Sequence, residues 1–472
     1  MLLKKNIMTI FSLKELAKIA GADATDIKKD INVSGISTDS RTIKKGEVFL
    51  ALKGENFDGT DFIDDAAAKG AVAVITSEDV EAKKNYAIIN VKNTAKSLSD
   101  IARAHRDKFN IPVIAITGSS GKTTTKDMAA HILSVRYKVL KTHENENNNI
   151  GVPSTILKLK DENIAVIEVG TNSFGEIRQS AEVLRPNIAV ITNIGPSHLE
   201  GLRDRDGVLM EKIALVEALA EKGTWVKNCD DEMLMSVPKV LRSKATDSLS
   251  VLTYSINSNK ADFRALNFRY VDKSIMFDLI ADNTVTAFSL PMMGVHSVYN
   301  ALAAIACCSP FVSIVHMKER LSNFKQPHMR MEVLSIDGFT IIDDSYNSNP
   351  ASLKHALSAL SECPASGERI AVIADMLELG EDSRELHYEA GKFLAEKNIS
   401  YLLTFGERAL DIAKGAISNG MQRNNVVSFK NKDEVVNHLR DIAGEGDVVL
   451  IKGSRGMKME EVVNCFTTCS TR

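Results

Sequence analysis

The stretch Thr117-Gly118-Ser119-Ser120-Gly121-Lys122-Thr123-Thr124-Thr125 leaves this chain few folds to choose from. Val113-Ile114-Ala115-Ile116 precedes it as a short apolar run that reads as a buried strand. Lys126-Asp127-Met128-Ala129-Ala130-His131-Ile132-Leu133 follows it with helical spacing. Strand, Gly-rich turn, Lys, hydroxyl and helix is how a protein holds a nucleotide triphosphate. The glycines let backbone N–H groups approach phosphate oxygens, and the helix N-terminus adds positive potential. Gly118, Ser119, Ser120, Gly121 and Thr124 are thus the expected phosphate cradle. Lys122 neutralises the terminal phosphates, and the Thr123 hydroxyl holds a Mg²⁺. The usual spacing puts a glycine where Ile116 stands, so the match is to a shortened loop. A Gly-Ser loop capping an ordinary helix is the plainer alternative.

Two later strands carry polar residues at their carboxyl ends. Ile164-Ala165-Val166-Ile167-Glu168 ends in a carboxylate placed to hold Mg²⁺ directly or through water. Ile188-Ala189-Val190-Ile191-Thr192 runs into a polar loop that contains His198. Ligands of parallel α/β sheets collect at such ends, so Lys122, Glu168 and His198 are expected in one crevice. There His198 meets metal or phosphate, with a purely structural histidine as the alternative. Asn145, Asn147 and Asn148 lie in an amide-dense segment, 142–153, suited to directed hydrogen bonds or to a plain turn. Lys212, within a helical pattern, would ordinarily be a solvated charge. Residues 250–293 alternate and carry aromatics, which predicts an antiparallel sheet added to the parallel core.

The flanking regions define two more units. In residues 1–110, Ser12 and Glu15 frame a helix that stops at Gly21, followed by two strands around a polar turn. Ser40-Arg41 and the cluster 54–59 read as solvated turns, or as a place where Arg41 and backbone amides bind a substrate diphosphate. Residues 111–325 form the central unit. Residues 326–472 return to alternating strands and helices without a phosphate loop, a second open α/β sheet. Its polar motifs are His328-Met329-Arg330, the run 343–350, 375–380 and 452–456; Arg330 presented across a cleft to a triphosphate would complete a site on closure.

Composition narrows the function classes. A formal charge of −3 gives no bulk pull toward nucleic acid. No apolar run is long enough to cross a bilayer, and no apolar stretch follows Met1-Leu2-Leu3-Lys4-Lys5, so neither membrane insertion nor a secretory signal is expected. Six cysteines without a Cys-x-x-Cys pair, Cys465 and Cys469 among them, suit a reducing cytoplasm.

Together these motifs resemble the Mur ligase superfamily, the ATP-dependent amide ligases of bacterial cell-wall synthesis. The resemblance spans nearly the whole chain and includes Asp39-Ser40-Arg41, the phosphate loop, 145–153, Glu168-Val169-Gly170, 192–201, His296 to Asn300, Tyr346-Asn347-Ser348-Asn349-Pro350 and Gly453-Ser454-Arg455. The Asn-rich block and the Tyr-Asn-x-Asn-Pro block point to the member that joins D-alanyl-D-alanine to UDP-N-acetylmuramoyl-tripeptide. The resemblance implies three domains: an N-terminal α/β domain binding UDP, a central ATPase-like parallel sheet with an added antiparallel sheet, and a C-terminal Rossmann-like domain presenting the dipeptide. It implies ATP and Mg²⁺, and a monomer is expected. Ser40, Arg41, Asn145, Asn147, Asn148, Tyr346, Asn347 and Asn349 match substrate-facing positions. Asn300 matches an adenine-facing asparagine, and Arg330 and Asp344 a nucleotide-contacting pair. Glu168 and His198 match second-metal positions. Lys212 matches a lysine that several members carry as a carbamate, a metal-binding anion. Thr60 stands where relatives often have His, and His328 where Gly is common. A folylpolyglutamate-type ligase keeps the fold with another substrate; a P-loop switch or motor, or a non-catalytic scaffold, are the rivals from other classes.

Overall fold

The computed structural model describes residues 10–24, 27, 29–54, 58–81, 86–237, 249–271, 274–336 and 338–467. The leading Met1-Leu2-Leu3-Lys4-Lys5, residues 55–57 of the polar cluster, and Cys469 lie outside them. The chain divides into two compact units.

The first unit comprises residues 1–115, 137–170 and 175–187. Helix Leu13–Ile19 carries the expected capping box, in which Ser12 and Glu15 satisfy each other's backbone N–H groups. A four-stranded sheet follows in the order Ile36–Ser37, Val48–Leu50, Ala73–Thr76, Ala87–Asn90. All its pairings are parallel, including Ile36 opposite Val48. The two strands read around a polar turn are parallel neighbours. The polar loop between them makes a crossover, and the pattern hid this because both strands are only two or three residues long. Phe49, Ala51, Ile63, Ala66 and Val74 pack the core of this sheet. The helix Thr94–Arg106 ends in a buried guanidinium. Arg106 donates to the carbonyls of Leu184, Phe109 and Ile111 and so satisfies the chain as it leaves the helix. The unit also holds the parallel pair Val139–Lys141 and Ile164–Glu168.

The second unit comprises residues 116–136, 171–174 and 188–472. Ile188–Ile191, Thr224–Asn228 and Ser250–Ser255 run parallel. Phe263–Val271 continues the same sheet, and Ser274–Ala281 and Thr284–Leu290 complete it as antiparallel neighbours. The antiparallel part is thus an extension of the parallel sheet. Ser274–Ala281 alternates in burial at every residue, which is the period that betrayed it in the sequence. Phe277 stacks on its cross-strand partner Phe288 at 5.4 Å. The small-residue helix Val295–Cys308 is buried along almost its whole length, and the Cys308 thiol reaches the Ala129 carbonyl on the helix Lys122–Leu133.

A separate six-stranded sheet has the order Glu332–Ile336, Phe339–Asp344, Val448–Lys452, Arg369–Ala374, Tyr401–Phe405, Val426–Phe429. The first pairing is antiparallel and the rest are parallel. One apolar cluster lies on the face covered by Pro350–Glu362, Ser383–Ala395 and Ala409–Ser418. The other lies under Lys432–Ile442 and Glu460–Thr467. The edge strand Glu332–Ile336 has no counterpart in the sequence reading. Only a one-residue apolar face, Ile336, is buried along it, too little to leave an alternating pattern. Among the described residues no helix is long and apolar enough to cross a membrane, and Cys229, Cys307, Cys308, Cys363 and Cys465 carry no disulfide.

Candidate active site

The strand Val113–Thr117 is buried at every residue, and its loop turns directly into the helix Lys122–Leu133. Gly118 and Gly121 have φ of +152° and +79°, and neither has room for a side chain. A β-carbon on Gly118 would lie 1.8 Å from Thr192 Oγ1, and one on Gly121 2.2 Å from Asn300 Oδ1. The loop is held from the segment that follows Ile188–Ile191. Ser119 N–H donates to the Asn193 carbonyl, Ser120 N–H to Asn193 Oδ1, and Thr192 Oγ1 to the Ser120 carbonyl. Ser119 Oγ and the Gly195 backbone are 2.9 Å apart. Asn193 and Thr192 were read only as motif residues; in space they are the buttress of the loop. Thr123 and Thr124 are buried, and Lys122 Nζ donates to the Gly118 carbonyl at 2.8 Å. Gly118→Ala is expected to destabilise the protein by about 1–3 kcal/mol and to reduce ATP affinity at least tenfold, because the backbone is strained and Thr192 must move. Thermal unfolding and calorimetric titration of ATP check both effects.

Lys212 is not a solvated charge. Its side chain is fully buried on the helix Arg205–Glu217. Burial, with Lys122 nearby adding repulsion, pushes its ammonium pKa well below the lysine range, against a smaller opposing pull from Glu211. Asn300 is buried beside the phosphate loop, with Thr125 Oγ1 3.5 Å from its Oδ1. One turn before it, His296 stacks on His355 at 5.8 Å in a cleft of about 210 Å³. Burial, with His355 and Lys452 adding repulsion, lowers the His296 pKa to about 3 and keeps it neutral.

The six-stranded sheet meets the phosphate loop through Asn349. Asn349 caps the helix Pro350–Glu362, and its amide donates to the Ser119 carbonyl at 3.1 Å. Tyr346 carries the Arg330 guanidinium over its ring at 3.9 Å. Asp344 pairs with the buried Lys452, whose ammonium also donates to the Asn347 carbonyl at 2.9 Å. Asn347 Oδ1 accepts from the N–H groups of Ser348 and Arg455. His328, unexplained in the sequence, pairs with Glu332. His198 has φ +52° and places Nδ1 2.8 Å from Glu378 Oε2, and this imidazole is what lowers the Glu378 pKa.

Within the first unit, Asn147 donates to Glu168 Oε1 at 2.8 Å. The other oxygen, Oε2, is buried with no hydrogen-bond partner. A buried carboxylate oxygen left open in this way suits a cation. Asn148 Oδ1 accepts from the N–H groups of Ile150 and Gly151 where a short helix begins, and the Asn145 backbone carbonyl accepts from Asn147 N–H. Ser40 is buried; Arg41 is exposed and forks onto Asp39, whose carboxyl it holds below the usual range. Lys69 Nζ reaches the Ser40 and Arg41 carbonyls. Thr60 bonds to Asp58 as part of a helix cap. Among the described residues no three His, Cys, Asp or Glu side chains gather as a metal cluster. Mg²⁺, which keeps waters and leans on phosphate oxygens, does not require one.

Three family models match the chain: "Mur ligase family, catalytic domain" over residues 32–106, "Mur ligase middle domain" over 116–308, and "Mur ligase, glutamate ligase domain" over 329–455. The UDP-N-acetylmuramoyl-tripeptide–D-alanyl-D-alanine ligase of Bacillus subtilis (strain 168) is 33% identical over 460 residues, 96% of this chain and 97% of that protein. The crystal structure of MurF from Acinetobacter baumannii has a TM-score of 0.87 at 29% identity, covering 96% of this chain and 98% of that one. The MurF ligase of Thermotoga maritima, solved in complex with ADP, has a TM-score of 0.81 at 27% identity, covering 92% and 97%.

Proposed function

The chain belongs to the Mur ligase family, and on that premise we propose that it joins D-alanyl-D-alanine to UDP-N-acetylmuramoyl-tripeptide with ATP and Mg²⁺, in cytoplasmic peptidoglycan precursor synthesis. The observation that carries this reading is the Tyr346–Pro350 block on the phosphate loop, where Asn349 holds the Ser119 carbonyl. A ligase needs its amine-presenting sheet at the phosphate end of ATP; a simple nucleotide switch does not. The family models at 32–106, 116–308 and 329–455 support domains at 1–110, 111–325 and 326–472.

A carboxylate is a poor electrophile. The free carboxylate of the tripeptide attacks the terminal phosphorus of ATP, and ADP leaves with the bridging oxygen. The dipeptide amine then attacks the acyl carbon and loses a proton. The C–N bond forms, the C–O bond to phosphate breaks, and inorganic phosphate departs. The residues mainly position and neutralise. Gly118 to Thr124 cradle the phosphates, with Lys122 as counter-charge. Asn300 faces adenine, and Arg330 and Asp344 hold the nucleotide from the six-stranded sheet. Ser40, Arg41, Asn145, Asn147 and Asn148 contact the UDP substrate, and Tyr346, Asn347 and Asn349 place the dipeptide. Thr123 and His198 would hold Mg²⁺, which supplies charge neutralisation at the phosphates when bound; Glu168, with its open Oε2, would serve as a cation ligand.

Lys212 fits a carbamate. Burial and the nearby Lys122 drive the amine pKa down and so favour its free base; that form attacks the carbon of CO₂, the nitrogen gives up a proton, and the product anion would relieve the repulsion. Enzyme equilibrated with ¹³CO₂ is expected to show a carbamate carbon signal that Lys212→Met abolishes, with turnover about a hundredfold lower in the variant. A signal that survives the substitution assigns the carbamate elsewhere.

The decisive experiment for the reaction is phosphate release from ATP with UDP-N-acetylmuramoyl-tripeptide, with and without D-alanyl-D-alanine, together with the product mass. Release that requires the dipeptide and yields the pentapeptide product is expected. Release indifferent to both substrates overturns the reading in favour of a switch or motor.

A further inference from the structure

The strand Ile188–Ile191 pairs with Thr224–Asn228 as far as Ile191 opposite Lys227, and Thr192 follows the last paired residue. Two side chains take its carbonyl. Asn228 Nδ2 donates to it at 3.0 Å and the Tyr254 hydroxyl at 3.1 Å. Asn228 and Tyr254 are register partners on the parallel strands Thr224–Asn228 and Ser250–Ser255, so they project from the same face of the sheet. Both are buried, and burial raises the Tyr254 phenol pKa well above its usual range, which keeps the hydroxyl protonated and able to donate. The turn after Asn228 takes a second hold on the same segment. Asn228 Oδ1 accepts from Asp230 N–H, and Asp231 Oδ2 accepts from Ile194 N–H at 2.7 Å. Thr192 is thus fixed from behind, while its amide and hydroxyl turn forward. The amide donates to the Thr117 carbonyl and Oγ1 to the Ser120 carbonyl, at either end of the phosphate loop.

A core that needed only filling would carry leucine and phenylalanine at these two positions. Two buried donors brought to one oxygen cost desolvation that is recovered only while that oxygen stays in place. We propose that Asn228 and Tyr254 are positioning residues for the ligase reaction. By clamping the Thr192 carbonyl they set the Thr192 hydroxyl against the Ser120 carbonyl, and so hold the phosphate loop in the form that receives ATP. This rests on the reading of Gly118 to Thr124 as the phosphate cradle.

The test is a mutant cycle on the full chain, read by calorimetric titration of a non-hydrolysable ATP analogue. Tyr254→Phe keeps the ring in the core and is expected to weaken the analogue about fivefold, the worth of one buried hydrogen bond. Thr192→Val removes the bond to Ser120 and should weaken it about tenfold, whereas Thr192→Ser, which keeps the hydroxyl, should stay within about twofold of the wild type. Because Tyr254 acts through Thr192, adding Tyr254→Phe to Thr192→Val should cost less than about 1.5-fold more. In turnover, KM for ATP should rise in Tyr254→Phe while KM for UDP-N-acetylmuramoyl-tripeptide stays unchanged. Thermal unfolding establishes that the variants fold; should Tyr254→Phe not fold, Asn228→Ala takes its place in the cycle. Unchanged analogue affinity in Tyr254→Phe overturns the proposal. So does the same loss in both Thr192 backgrounds, or an equal rise in both KM values, each of which marks a merely structural residue. A wild type that fails to bind the analogue overturns the nucleotide reading together with the proposal. Failure of the ligase reading alone is seen separately, as a wild type that binds the analogue but makes no pentapeptide product.

Discussion

Lys122→Ala is expected to lower kcat/KM for ATP about 10³-fold or more, about 4 kcal/mol of lost transition-state stabilisation, while circular dichroism and the unfolding temperature stay near those of the wild type. The two halves of this expectation have different sources. Lys122 is half-buried and makes a hydrogen bond to the Gly118 carbonyl that water can replace. The loop does not depend on that bond, because Asn193, Thr192 and Gly195 hold it independently. What disappears is the positive charge that the proposed reading assigns to the transferring phosphate. The effect should fall on kcat more than on ATP binding, since charge at the terminal phosphate changes most as the acyl phosphate forms. An unfolding temperature lowered by ten degrees would contradict this division and make Lys122 a structural residue. Turnover within tenfold of the wild type would place the phosphate site elsewhere.

The phosphate loop was legible because its chemistry is local: five residues of buried strand, two glycines at left-handed or extended positive φ, and a helix all lie within about twenty residues of sequence. The alternation of strands and helices in residues 326–472 was legible for a similar reason, each parallel strand of the six-stranded sheet being a short apolar run between helical patterns. Pairing direction was less so. A crossover and a hairpin leave the same pattern when strands are as short as Ile36–Ser37, and only the register decides. Lys212 shows the harder limit. Its helix presents Lys212 and Glu211 in a mostly buried stretch, and nothing in the spacing separates a buried lysine from a solvated one. The signal that could have found it is the apolar run Ile213-Ala214-Leu215-Val216 beside it, which is too long for one amphipathic face. His198 with Glu378, and Asn349 with Ser119, join residues 180 and 230 positions apart, and no local pattern encodes such pairings.

Lys452→Met is expected to cost about 3 kcal/mol and to lower the unfolding temperature of the six-stranded sheet by roughly 6–12 °C. Methionine is close to lysine in length and suits the buried stem, so packing is largely retained. The loss comes from Asp344. Its carboxylate pairs with the buried Lys452 ammonium and has one other described donor, Met331 N–H at 3.2 Å. Removing the cation leaves that carboxylate in a site with little access to water, which is the expensive way to break a buried pair. The same ammonium donates to the Asn347 carbonyl, so the Tyr346–Pro350 block loosens as well. Adding Asp344→Asn in the same chain removes the stranded charge and should recover at least half of the lost stability. Activity should not recover, because the nucleotide contact assigned to Asp344 is then missing. Stability and turnover would thus separate in the double variant, although both fall in Lys452→Met alone. A single-variant cost below about 1 kcal/mol would mean that solvent screens the pair after all, and would leave the buried setting of Lys452 without energetic consequence.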